Sequence, residues 1–469
     1  MTVLNVVFKP HRTSLKSGTA EDQKLFAMLK LIPKEEAARA RPPLAFALVI
    51  DTSGSMQEFA DQQRAGDLIR DRGLPSQVQH SGDGTRQGVN LPLPTKLDQA
   101  IEAARALVDD ERLVPEDRVA VIHFDDDAKT LLPLTPLSQK QAIYAAIDSL
   151  RQFSGGTHIA KGLKCGLREL GGLPPQTTKR VMLLTDGQTF DEDECRPLAA
   201  RLAESNVPIV AIGVGLEYNE ELLRDLAQIS QGRPYHIAQM GELRDLIYGE
   251  VGSSVREVVT DLQATVSTVK GVRLEGITQV DPSLSEVTTD KQPFRLGNVP
   301  AGDFTILVLE FTLSGFERPP SRVRIAQLGL VGHVPGLGRR DELPPLDLYV
   351  NFTTDEAAVA AVDAEVLSYV QQKNVDRMVQ EAVRVAGTDA GRARQTLQAA
   401  VGMTQRLGNS AMTKVLQNAL DELNRGGTIS VGTRKTMALG GRTRTIKAGA
   451  TSPMEGLPPN EDIRKLTGA

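Results

Sequence analysis

A largely parallel, doubly wound α/β sheet is predicted for the middle of this chain, with an accessory antiparallel β-sandwich and a C-terminal helical bundle around it. Three observations predict it. Short runs rich in Val, Ile and Leu recur at residues 44–50, 119–124, 180–184 and 207–213. Segments with apolar residues at helical spacing alternate with them, and strands apolar on both faces between amphipathic helices imply a sheet covered on both sides. Outside this middle, short β-rich runs separated by Pro, Gly and Asp mark a second kind of unit.

The elements follow in chain order. Leu4–Pro10 and residues 23–32 alternate or run apolar, as strands do. After the run at 44–50, Lys96–Val108 has Leu97, Ile101, Ala104 and Leu107 on one helical face. A strand at 119–124 precedes a short run at 130–134, then helices at 139–150 and Ile159–Leu170. The strand at 180–184, a helix at 192–205, the strand at 207–213 and helices at Glu220–Ile229 and 241–251 complete the series. Runs at 257–266, 272–280, 293–296, 304–313 and 323–328 then suggest an antiparallel sandwich. Residues 355–423, rich in Ala, Val and Gln, carry helical spacing at Val359, Val362, Val366, Tyr369 and Val370, and read as two or three packed helices.

One motif carries chemistry. Asp51-Thr52-Ser53-Gly54-Ser55 follows the apolar run directly, placing a carboxylate and two hydroxyls where a buried strand ends. Ser154-Gly155-Gly156-Thr157 presents another hydroxyl before a helix, and Thr185-Asp186-Gly187 a second carboxylate after a strand. Hard divalent cations such as Mg²⁺ prefer oxygen ligands and keep some waters. Ligands of open α/β sheets bind beyond the carboxyl ends of the strands, where these three segments fall. Taken singly, Asp51 and Asp186 also suit a helix-capping role.

Together the three segments resemble the metal-ion-dependent adhesion site of von Willebrand factor type A domains, of a bacterial intracellular type. Asp51, Ser53 and Ser55 match its Asp-x-Ser-x-Ser element, Thr157 its separate threonine and Asp186 its distal aspartate. The resemblance covers residues 40–255, a little under half of the chain. It implies direct ligation by Ser53 and Ser55, ligation mostly through water by Asp51 and Asp186, and a conformation-dependent role for Thr157. The implied ion is Mg²⁺, with Mn²⁺ as the alternative, and the implied partner is a protein presenting Asp or Glu to the open coordination position. Bacterial proteins with similar domains pair flanking strands from both ends into one sandwich, which joins residues 1–40 to 256–351. The divisions expected are thus 1–40, 41–255, 256–351, a bundle at 352–424 and a disordered tail at 425–469.

Residues 57–95 form a polar, Gly-rich insert where the resemblance implies a short turn into the helix at Lys96. Residues 57–71 have the pattern of a helix, and Glu58 or Asp83 is acidic enough to reach the metal's open position from within. Two readings stand for the insert, a lid that shapes the partner surface or a tolerated surface loop. His158 reads as a packing or hydrogen-bonding residue, and Asp125-Asp126-Asp127 as a solvated turn.

Composition excludes several classes. The 469 residues are 40% hydrophobic and 24% charged, with a net charge of −5, which argues against broad nucleic-acid binding. Aromatics are only 4% and Trp is absent, so cores rest on aliphatic side chains. The first ten residues lack a secretory pattern, and no run approaches the roughly 18 apolar residues of a membrane span, so a cytoplasmic address without membrane insertion is expected. The two cysteines, Cys165 and Cys195, read as reduced core residues. No phosphate-binding loop, zinc motif or serine paired with a histidine base is present, so a non-enzyme is expected.

The segment 425–469 is rich in Gly, Thr, Arg and Lys, and reads as disordered. Thr436 has Leu439 three positions on and Thr443 has Ile446, the offset that forkhead-associated domains read after phosphothreonine. A second expectation is therefore a substrate or adaptor of a Ser/Thr kinase with a forkhead-associated-domain partner. A third, from similar domains beside AAA+ ATPases, is a partner subunit of such an ATPase. The leading expectation is a metal-dependent scaffold or adaptor in a bacterial signalling complex.

Overall fold

A computed structural model describes residues 3–34, 41–71, 79–80, 86–87, 92–238, 240–314 and 318–443. Three strands come first, β1 (Leu4–Pro10), β2 (Ser14–Lys16) and β3 (Gln23–Pro33). The other partner of β3, besides β1, comes only much later in the chain, at Thr305–Leu313.

The central unit begins with β4 (Leu44–Asp51), every residue of which is buried. A short helix α1 (Gln62–Asp71) and the two-residue strands β5 (Gln79–His80) and β6 (Arg86–Gln87), paired with each other, lie in the insert. There follow α2 (Lys96–Val108), β7 (Arg118–Phe124), β8 (Ala128–Pro136), α3 (Lys140–Ser149) and α4 (Ile159–Leu170). β9 (Thr178–Thr185), α5 (Glu192–Glu204), β10 (Ile209–Val214), α6 (Glu220–Ile229), β11 (Arg233–Ile237) and α7 (Leu243–Val255) complete it. The sheet order is β11-β10-β9-β4-β7-β8, parallel throughout except for the last pair.

Side chains alternate across a strand, and β4 uses this to serve two cores. Leu44, Phe46, Leu48 and Ile50 pack with α2, α3 and α7 through Leu97, Ile101, Ile143 and Val251. Ala45, Ala47 and Val49 pack on the other face with α4, α5 and α6 through Leu163, Leu202 and Leu226. Glycine lets α4 come close: a Cβ at Gly162 would stand 2.8 Å from Val49 and 2.9 Å from Phe124. Burial of an aliphatic side chain contributes roughly 1.5–3 kcal/mol, so this sandwiched sheet holds the loops at its ends firmly.

After α7 the chain builds the accessory sandwich with β12 (Glu257–Thr268), β13 (Val272–Asp281), β14 (Ser285–Val287), β15 (Phe294–Pro300), β16 (Thr305–Leu313), β17 (Ser321–Val334) and β18 (Arg339–Thr353). One sheet runs β1-β3-β16-β13-β14 and the other β15-β12-β17-β18-β2. The antiparallel pairing of β3 with β16 stitches the N-terminal strands into the sandwich that follows the central unit. Leu25, Leu29, Leu262, Phe311 and Leu328 are among the side chains between the sheets.

The chain then turns helical, through α8 (Glu356–Ala360), α9 (Ala364–Val385), α10 (Ala390–Arg406), α11 (Ser410–Gly426) and α12 (Val431–Thr443). α9 covers the outer face of the sandwich, with Val366, Tyr369 and Val370 against Met28, Ile306 and Val308.

The last helix corrects the expectation of a disordered tail from residue 425. Its Lys435 is buried, donates to the Tyr218 carbonyl at 2.6 Å and lies 3.5 Å from the Tyr218 ring centroid. Arg442, also buried, pairs with Asp376 at 2.7 Å, and Leu439 joins the core beneath α4, α5 and α6. Composition suggested solvation, but these groups have partners on the central unit and on α9. The tail beyond residue 443 lies outside the described residues.

Candidate metal centre

Three loops at the carboxyl edge of the central sheet meet around Asp51 and Asp186. β4 ends at Asp51, and a short 3-10 turn, Gly54–Gln57, follows it. The Asp51 carboxylate accepts the Ser53 amide at 2.8 Å and the Thr185 hydroxyl at 2.6 Å, which fixes both its oxygens. The Gly54 amide donates to the Gly155 carbonyl at 3.0 Å, tying the first loop to the second. The Ser53 and Ser55 hydroxyls lie 3.1 Å apart, and Ser55 donates to Asp186 at 2.6 Å. Gly187 is flanked by the remaining hydroxyl: a Cβ there would stand 3.5 Å from the Thr157 oxygen and 3.8 Å from that of Ser55. All five expected residues therefore come together in one small region, most of it buried.

Burial shapes the electrostatics. Asp51 is fully buried and Asp186 is 1% exposed. Desolvation pushes the Asp51 carboxyl up to about 7, and the nearby Asp186 adds to the rise against the hydrogen bonds from Ser53 and Thr185. A cation at this place would oppose that rise.

The donor set fits a hard divalent ion. It consists of two carboxylates and three hydroxyls, with no sulfur or imidazole. No group of three or more His, Cys, Asp or Glu side chains among the described residues is set to hold a metal. An ion here therefore depends on the hydroxyls.

A positive charge already touches the site, from a residue that sequence reasoning did not assign to it. The Lys96 ammonium lies 2.7 Å from Asp186 and 3.0 Å from Glu58. Burial lowers its pKa, but the bonds to these two carboxylates outweigh that and raise it overall. Lys96 is the first residue of α2, behind the Thr95–Asp98 capping box. That box was the only local signal. Nothing in the sequence paired Lys96 with a carboxylate 90 residues away.

The other expected groups fall as follows. His158 precedes α4, its Nδ1 lies 3.0 Å from the Asp125 carbonyl, and its ring sits 5.6 Å from that of Phe190. Asp125–Asp127 form the turn between β7 and β8, closed by an Asp125 amide to Asp127 carbonyl bond of 2.8 Å. Cys165 and Cys195 are free and buried. Thr436 lies in the middle of α12 between buried Lys435 and Met437, and Thr443 is the last residue of that helix. Glu58 is held by Lys96 and by Gln62 at 3.0 Å, whereas Asp83 lies outside the described residues. Phe190, missed in the sequence reading, is 78% exposed; its amide bonds the Thr157 carbonyl at 3.0 Å.

Residues 93–248 match the von Willebrand factor type A domain family. The central α/β unit has that fold. The matched stretch begins after the Asp51–Ser55 turn, at the very end of the insert. Residues 364–447 match a second family, the Sll0103-like, C-terminal alpha-helical domain. Among curated proteins, the uncharacterized protein sll0103 of Synechocystis sp. is 28% identical over 84% of this chain and 93% of its own length. The uncharacterized protein YfbK of Escherichia coli is 23% identical over 67% of this chain and 50% of its own, so the match spans half of that relative.

Two solved structures share the whole type A arrangement with its flanking units. A von Willebrand factor type A protein from Catenulispora acidiphila superposes with a TM-score of 0.73 at 18% identity, covering 95% of this chain and 98% of its own. The ArnB paralog VWA2 from Sulfolobus acidocaldarius does so at 0.57 and 15%, covering 95% and 100%. At these identities the likeness is one of fold. Among the described residues, no helix is long and apolar enough to cross a membrane.

Proposed function

We propose that the chain is a metal-dependent protein-interaction module in which Asp51, Ser53, Ser55, Thr157 and Asp186 hold Mg²⁺ or Mn²⁺ and capture an Asp or Glu of a protein partner. The observation that carries this reading is the meeting of two buried carboxylates with linked hydroxyls on three loops at one sheet edge. The type A domain, a fold that suggests protein partners, supports it. A bound cation would supply an open coordination position and the positive charge that draws a carboxylate.

Each side chain has a part to play. Asp51, with both oxygens fixed by the Ser53 amide and Thr185, provides an anionic floor that does not reorient. Ser53 and Ser55 turn their oxygens toward each other and serve as neutral donors. With only Asp51 and Asp186 as anions, a dication is balanced, and a third carboxylate from a partner binds without a large charge build-up. Phe190, an exposed aromatic joined to the Thr157 loop, offers that partner an apolar contact. Relatives matched over most of the chain are bacterial. That fits a bacterial setting, in which the reading makes the chain a cytoplasmic scaffold or adaptor of a regulatory complex.

The test is an affinity capture from native extract with wild-type chain and Asp51→Ala as baits, in Mg²⁺ or in chelator. Partners retained only by wild type with Mg²⁺ support the reading. Partners indifferent both to chelator and to the substitution contradict it.

A further inference from the structure

Three features of the molecule lie outside the five expected metal-site residues. The cavity between the central unit and the sandwich is lined by Arg180, Arg233, Glu250 and Glu257, whose charges are already paired. The α12 clasp is a fully partnered structural contact. Lys96 is different, because it contacts a group that the metal reading requires for something else.

We propose that Lys96 is a tethered counter-cation of the metal centre, which sets metal affinity by competing with the divalent ion for Asp186 and retreats to Glu58 when the ion binds. The proposal rests on the reading of Asp186 as a metal ligand. Its basis is geometric. One Asp186 oxygen takes the Ser55 hydroxyl at 2.6 Å and the other takes the Lys96 ammonium at 2.7 Å, so both oxygens are engaged. An ion at Ser53 and Ser55 would face an ammonium on the same carboxylate, and two cations at such a distance repel strongly where water is scarce.

The ammonium has somewhere to go. Glu58 already accepts it at 3.0 Å, and its side chain is 46% exposed. The backbone around this pair is fixed: the Lys96 amide donates to the Glu58 carbonyl at 2.9 Å, and Phe59 bridges Thr95. Losing Asp186 while keeping Glu58 therefore needs only a side-chain shift. Without the ion, the same ammonium offsets the cost of an unpaired buried carboxylate. Affinity for the ion is thereby traded for a stable empty state, and the mouth of the site, where Glu58 lies, changes its charge pairing when the ion arrives.

Calorimetric titration of the full chain with Mn²⁺ tests this, with thermal melting to check the fold of each variant. Lys96→Met is expected to bind Mn²⁺ at least tenfold more tightly than wild type, because the competitor is gone. Lys96→Arg keeps a cation and is expected to stay within about threefold of wild type. Glu58→Gln removes the retreat and is expected to weaken binding severalfold. Affinity unchanged or weakened in a folded Lys96→Met, while Asp186→Ala abolishes binding, overturns the counter-cation and leaves the metal reading intact. Mn²⁺ binding by neither wild type nor Lys96→Met overturns both.

Discussion

The two ends of the central sheet both bury charge, and they treat it in opposite ways. At the amino edge, Arg180 pairs with Glu257, which also accepts Thr178 at 2.8 Å and Asn298 at 2.7 Å. Nearby, Arg233 bonds Glu250 at 3.0 Å and Tyr235 donates to the same carboxylate. Two guanidinium groups meet two carboxylates, and the site closes against the sandwich. At the carboxyl edge, Asp186 meets a single ammonium, which Glu58 also claims, and Asp51 meets only the neutral Ser53 amide and Thr185 hydroxyl. Buried charge that is balanced in place acts as structure. Buried charge that is left in excess is arranged for something that arrives later.

Breaking each edge should therefore give different phenotypes. At the carboxyl edge, Asp186→Ala should lower Mn²⁺ affinity beyond about 100-fold, roughly 3 kcal/mol, with the melting temperature little changed, read by calorimetry and thermal melting. At the amino edge, Glu257→Ala leaves Arg180 buried and unpaired, which costs about 3–5 kcal/mol of stability. Denaturant unfolding should register that loss while Mn²⁺ affinity per folded molecule stays constant. Unchanged stability in this variant would mean the two edges are not divided as described.

The division was only partly legible in the sequence. β4 and α4 declared themselves, because a strand sandwiched between two cores must be apolar on both sides and an amphipathic helix repeats its apolar face. β11 was missed. Its Arg233-Pro234-Tyr235-His236-Ile237 is polar because it forms the sheet's edge, where Arg233 and Tyr235 reach Glu250. β18 was hidden by its charges and by Pro344-Pro345, which belong to a long strand with alternating exposed residues. α12 was hidden by the solvated composition of its neighbours, although Lys435 and Arg442 find buried partners.

The meeting of the five expected residues was legible because they sit in short motifs beside strand ends. Lys96 was not, since its meaning depends on a contact made by the fold. The Arg180–Glu257 pair was invisible for the same reason, its partners being 77 residues apart.

Smaller effects sharpen the contrast. Glu250 has its pKa lowered from 4.5: burial alone would raise it, but the Arg233 charge and the Tyr235 bond outweigh that. A carboxyl with a depressed folded pKa stabilises the protein fully above the ordinary value and loses that contribution as pH falls through the depressed one. Melting temperature should accordingly drop below pH 4.5, and Glu250→Gln should flatten the part of that slope due to this group. The smallest effect is expected from Phe190→Ser. Being exposed, Phe190 should leave stability within about 0.5 kcal/mol and Mn²⁺ affinity unaltered, while partner capture in Mg²⁺ weakens.

The claim beneath all of this is that the carboxyl edge holds one divalent ion on Asp51, Ser53, Ser55, Thr157 and Asp186. Equilibrium dialysis of the purified chain against Mg²⁺, followed by elemental analysis, measures it directly. One ion per chain in the wild type and none in an Asp51→Ala, Asp186→Ala double variant is the predicted result. An ion retained by a folded double variant, or none bound by the wild type, would contradict the account.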